Sequence, residues 1–210
     1  MIVMTKIADT TAPGSLDAAV RTSVEILTKG GVIAFPTDTL YGIGCAFGHR
    51  RAIDRIQLMR DLDLGRRPLT FLLPDLGQVA HYAVVSTEAY RILARILPGP
   101  YCIELAATAA VPASFCAGRR RNIGVRVPAH PVCERLLWSL AVPILTATAK
   151  GRDGRLLRTA TEIADEFGAQ LDLILDGGPL LGPPSTVVSL LDDWVRILRQ
   201  GKGPTEDLVG

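Results

Sequence analysis

The stretch Gly31 to Gly48, GVIAFPTDTLYGIGCAFG, constrains this chain more than any other. Its apolar run reads as a buried strand, and Pro36 ends that run because proline cannot donate to a sheet ladder. Thr37, Asp38 and Thr39 follow at once. Their side chains fall at the carboxyl end of a strand, where open α/β sheets place their ligands. Two readings stand here. The loop is either a wall of a binding site or a strand-to-helix turn in which Thr37 or Asp38 acts as a cap.

The remaining pattern alternates helices and strands. Ser15, with Leu16, Ala19, Val20, Val24 and Leu27, has helical spacing and stops at Lys29-Gly30-Gly31. Residues 49 to 61 set Ile53, Ile56 and Met59 against arginines, which predicts an amphipathic helix ending near the turn at 65–68. Leu69 to Leu73 reads as a strand, Ser86 to Leu97 as a helix stopped by Pro98-Gly99-Pro100, and Tyr101 to Leu105 as a strand. Beyond a basic turn, Ile123 to Val127 is extended, with Arg126 among apolar neighbours. A buried-strand arginine needs partners. A helix over 131–140, a strand over 143–147 and a helix from Thr159 or Thr161 to Phe167 follow. Short strands over 171–175, 186–190 and 195–198 complete the chain. This mixture predicts a twisted, partly parallel and partly antiparallel sheet flanked by helices, in one domain over residues 1–210.

Composition narrows the function classes. With 48% hydrophobic residues in 210, the chain can bury a large core, and no apolar run reaches the roughly 18 residues of a membrane span. No signal-peptide pattern opens it, so a cytoplasmic protein without a membrane partner is expected. Cys45, Cys102, Cys116 and Cys133 are scattered, as are His49, His81 and His130, so neither a zinc site nor a serine-hydrolase triad has support. The net charge is +2, with arginines gathered at 50–67 and at Arg119, Arg120 and Arg121. Such clusters suit phosphate oxygens or a solvated face.

Standard nucleotide motifs are absent. Gly42, Gly44 and Gly48 have the wrong spacing for a dinucleotide fingerprint, and Gly201-Lys202-Gly203 lacks the rest of a Walker loop. Several ordered segments instead carry a specific resemblance: FPTDTLYGIG, RPLTFLL, LPGPY, IGVRVPAHP, LDLILDGG, PPSTVV and ILRQG. In this order and spacing, from about Ser15 to Gly201, the chain resembles the YrdC family. The resemblance implies a YrdC-like fold around a large basic cavity. It also implies synthesis of threonylcarbamoyl-AMP from threonine, bicarbonate and ATP, with Mg2+ and release of pyrophosphate, in the service of transfer RNA modification.

Residue by residue, the resemblance assigns Thr37 to the threonine substrate and Arg126 to its carboxylate. Ser185 and Thr186 fall near substrate and nucleotide, while Cys116 and Arg199 fall beside the nucleotide. Two motifs depart from the active members. Their K-x-R motif aligns with Arg60 and Leu62, which keeps one phosphate cation and loses the other. Their S-x-N motif aligns with Thr148 and Lys150, which keeps the hydroxyl and replaces asparagine by lysine. The departures resemble the YciO branch, and Lys150, Arg66 and Arg67 are the residues that would compensate. Arg60, Thr148 and Lys150 are therefore the expected catalytic set. The alternative is a non-catalytic protein that binds double-stranded or structured RNA through Arg119, Arg120 and Arg121.

Overall fold

The computed structural model describes residues 5–60, 69–117, 121–192 and 194–208. Leu62, Arg66, Arg67, Arg119 and Arg120, together with the turn expected at 65–68, lie outside the described residues. In chain order the elements are β1 (Ile7–Asp9), α1 (Ser15–Thr28), β2 (Val32–Phe35), β3 (Gly42–Ala46) and α2 (Arg50–Arg60). Next come β4 (Thr70–Leu72), α3 (Leu76–Tyr82), α4 (Thr87–Ile96), β5 (Tyr101–Ala106) and β6 (Asn122–Arg126). The chain continues with α5 (Pro131–Leu140), β7 (Ile144–Thr148), α6 (Ala160–Phe167), β8 (Leu173–Asp176), β9 (Thr186–Ser189) and β10 (Arg196–Arg199).

Among the described residues, ten strands make one sheet in the order β1-β8-β2-β3-β7-β4-β6-β5-β9-β10. The sheet is mixed: β2 runs parallel to β8 but antiparallel to β3, and β5 runs antiparallel to β6 but parallel to β9. Helices cover its two faces unequally. Alternation along β2 sends Val32 and Ala34 into one core and Ile33 and Phe35 into the other. The first core takes apolar residues from α2, α3, α4 and α6, and the second takes them from α1 and α5 alone.

That inequality positions the site. Phe71, Ile103, Val125, Leu145 and Val188 point into the four-helix core. By alternation their neighbours Thr70, Cys102, Arg126, Thr146 and Val187 point to the other face, beyond the reach of α1 and α5. The layer of helices stops there, and a polar concavity begins.

The sequence reading placed most of these elements and missed β1, β3 and α3. In β3 the glycines are required by close approach: a Cβ on Gly42 would lie 2.8 Å from Thr146 Oγ1, and one on Gly44 would lie 2.8 Å from Ile144 Cγ2. The 36–41 loop therefore leads into an antiparallel strand rather than a helix.

Candidate functional site

A cavity of about 210 Å³ opens on the thinly covered face. One wall is the β2–β3 loop, with Thr37, Thr39, Leu40 and Tyr41. The floor carries Thr70, Cys102, Arg126 and Thr146, and the far wall carries Ser185, Val187 and Arg199, with Thr148 near the rim. Hydroxyls and two guanidiniums dominate this lining, a donor set suited to an anionic ligand. Cys102 contributes a neutral thiol, because burial pushes its pKa up against the lowering effect of Arg126.

The 36–41 loop is held from within. Thr37 Oγ1 donates to the Leu40 carbonyl at 2.6 Å and accepts from the backbone N–H groups of Thr39 and Leu40 at 3.2 and 3.3 Å. Thr37 thus builds the turn and lines the cavity as well. The Tyr41 hydroxyl donates to the Gly178 carbonyl at 2.8 Å and accepts from Gly177 N–H at 3.0 Å, tying the loop to the segment after β8. Burial pushes its pKa up to about 12.

Arg126 has a protein partner. Its Nη2 donates to Asp38 Oδ1 at 2.6 Å and to Thr39 Oγ1 at 3.2 Å. The two charged side chains are 11% and 7% exposed, so both are out of bulk water. Asp38 Oδ2 also accepts from the Ala129 backbone N–H at 3.3 Å, and the Asp38 main-chain carbonyl accepts from the Lys202 ammonium. Within the protein, the partners that a buried-strand arginine needs are therefore Asp38 and Thr39. Arg126 lines the cavity and so still has guanidinium donors to offer a ligand, while its Nε is buried without a partner.

The predicted residues divide into two groups. Thr37, Arg126, Thr148, Ser185 and Arg199 share the cavity lining. Arg60, Lys150, Cys116 and Thr186 do not. Arg60 ends α2 with its guanidinium on the Lys150 carbonyl, and burial holds it below the ordinary arginine value. The Lys150 side chain is exposed and leans over Gly154: a Cβ there would lie 3.8 Å from its Nζ. Cys116 packs against the four-helix core, with Sγ 3.7 Å from the Pro112 carbonyl oxygen. Thr186 Oγ1 is spent on the Gly203 carbonyl at 2.6 Å and the Gly201 N–H at 3.0 Å. The Arg121 guanidinium donates to the Val111 carbonyl. Sequence reasoning placed Asp38 in the loop without its partner, and missed Tyr41, Thr70 and Cys102 as parts of this site. The last two follow from strand alternation once each strand's core face is known.

Residues 25–201 match the model of the Sua5/YciO/YrdC family, described as telomere recombination. The chain belongs to this family. YciO from Escherichia coli K12 is 35% identical over 185 residues, covering 88% of this chain and 89% of that protein. Its crystal structure superposes with a TM-score of 0.86 at 32% identity, over 98% of both chains. A threonylcarbamoyl-AMP synthase from Nitrosococcus oceani is 33% identical over 168 residues, 78% of this chain and 89% of that one. The Sua5 protein of Pyrococcus abyssi in complex with L-threonine superposes with a TM-score of 0.85 at 26% identity. That match covers 99% of this chain and 61% of the Sua5 chain. The mixed sheet with flanking helices is therefore the Sua5/YciO/YrdC fold.

Proposed function

We propose that this protein is a threonylcarbamoyl-AMP synthase-like nucleotidyltransferase working at reduced rate. The observation that carries the reading is Arg126, a buried guanidinium on the wall of a hydroxyl-lined cavity of about 210 Å³. That volume is below the roughly 300 Å³ at which drug-sized ligand sites begin, and it suits an amino acid. In this reading the threonine carboxylate binds Arg126, with Thr37 and Ser185 as hydroxyl partners. A relative crystallised with L-threonine supports the assignment, and relatives named as synthases support the reaction class.

The reaction joins the threonine amine to bicarbonate to give a carbamate with loss of water. A carbamate oxygen then attacks the α-phosphorus of ATP in line, forming the mixed anhydride as the bond to pyrophosphate breaks. Thr148 and Arg199 stand on the lining toward the rim, where the nucleotide would enter. Among the described residues no group of three His, Cys, Asp or Glu side chains is placed to hold a metal ion. In this reading Mg2+ enters with the ATP phosphates as part of the substrate. With Arg60 and Lys150 outside the cavity lining, the leaving group in this reading meets fewer cations. Loss of one such cation lowers the rate by about two to three powers of ten.

The test is pyrophosphate release from ATP, Mg2+, threonine and bicarbonate by the wild type, Leu62→Arg and Lys150→Asn. Slow release by the wild type and faster release by either variant are expected. No release by any of them at high enzyme concentration, with threonine still bound, overturns the synthase reading. RNA binding that weakens steeply with salt would then favour the non-catalytic alternative, but among the described residues only Arg121 bears on it, and its guanidinium is already engaged.

A further inference from the structure

We propose that Asp38 makes the Arg126 subsite selective for zwitterions, α-amino acids, over simple oxyanions such as phosphate. The inference rests on the reading that a ligand carboxylate binds Arg126, and deepens it. An unpaired buried arginine would be an indiscriminate oxyanion trap, since its planar fork fits phosphate as well as carboxylate. A subsite beside bound ATP and departing pyrophosphate would be filled by such anions. Here the guanidinium is neutralised in place by a carboxylate 2.6 Å away that is 7% exposed.

Asp38 is fixed by three elements. Oδ1 takes Arg126 of β6, Oδ2 takes the Ala129 N–H, and the main-chain carbonyl takes Lys202, which follows β10. The carboxylate is thus a standing part of the subsite rather than a mobile arm. The pair carries no net charge, and Arg126 still presents part of its guanidinium to the cavity. A doubly charged phosphate gains one guanidinium and is repelled by the aspartate behind it, at distances where Coulomb terms in a partly buried site are substantial. An amino acid meets the same pair differently. Its carboxylate takes the arginine donors left facing the cavity, and its ammonium is drawn by the field of Asp38. Asp38 is not among the residues lining the cavity. It acts through Arg126 and is a positioning and specificity residue, not a catalytic one.

Calorimetric titration of the full chain with L-threonine, 3-hydroxybutyrate and inorganic phosphate tests this. The second ligand is threonine without its ammonium group. The wild type should prefer threonine to both by about tenfold or more, and Asp38→Asn should erase most of that preference, with phosphate and hydroxybutyrate binding tighter than to the wild type. Asp38→Glu should retain the wild-type order. A wild-type order that survives in Asp38→Asn overturns the inference, as does a wild type that takes phosphate as tightly as threonine. The latter needs no variant to fold. Arg126→Ala separates the two claims. If it loses threonine while Asp38→Asn keeps the wild-type order, selectivity alone fails. If it binds threonine like the wild type, the carboxylate reading fails too.

Discussion

The two ends of the cavity are built to different standards. At the end formed by Thr37, Asp38 and Arg126, side chains are buried, bonded to one another and anchored on separate elements. At the other end Thr148 is exposed, and outside the lining beyond it Arg60 is engaged by a main-chain carbonyl and Lys150 leans over a turn. Preorganised groups act on a ligand without first being rearranged, whereas exposed long side chains must be ordered at an entropic cost. Among the described residues, the contrast teaches that buried, mutually bonded side chains are fixed before a ligand arrives, whereas the exposed ones are not.

The contrast breaks most sharply if the buried pair is not what holds the first end together. Arg126→Ala leaves Asp38 as an uncompensated charge, and truncating one member of a buried pair costs about 3–5 kcal/mol. Urea unfolding should show a loss of that size. Arg126→Met combined with Asp38→Asn removes both charges and should lose clearly less. If the single and double variants unfold together, the two residues are not coupled and the well-built end is an accident of packing.

A smaller effect is expected at the other end. Arg60→Met removes the guanidinium that joins the end of α2 to the Lys150 carbonyl, while keeping much of the apolar stem. A stability loss of about 1 kcal/mol is expected from the broken hydrogen bond. Threonine affinity, measured by calorimetry, should stay within about twofold of the wild type because Arg60 lies outside the cavity lining. A large loss of threonine affinity would mean that the two ends are coupled after all.

How far these ends could be read from the residues follows the same division. The strand VIAF, the stripe of α5 and the Thr159 cap of α6, with its reciprocal Glu162 bonds at 3.2 Å, were legible because local periodicity and capping chemistry decide them. Strand β3 was not, because two glycines mask its alternation and the reason for them, contact with Thr146 and Ile144, lies in β7, far along the chain. Thr37 and Arg126 were legible as site candidates from motif position. Asp38 beside them was left between site wall and cap, since its partner, 88 residues on, is fixed by sheet topology. Arg60 and Lys150 fit the motif by alignment, yet side-chain direction at an element's end depends on packing that no spacing rule contains.

The smallest prediction asks whether acid sensitivity also belongs to the well-built end. His130 precedes α5, and its Nδ1 accepts from the Val132 backbone N–H at 3.3 Å. Protonation would remove that acceptor. Burial is the main influence on His130 and holds its pKa below the ordinary histidine value; Asp38 opposes the shift and Lys202 reinforces it. The unfolded chain therefore takes up this proton first as pH falls. The contribution to stability is fully present above about pH 6.5 and is lost as pH drops from there through the lower folded value. An asparagine at this position would cap without titrating. His130→Asn should thus match the wild type at pH 7.5 and exceed it at pH 5.5, by less than about 1 kcal/mol in urea unfolding. Equal acid loss in both proteins would shift the sensitivity away from this histidine.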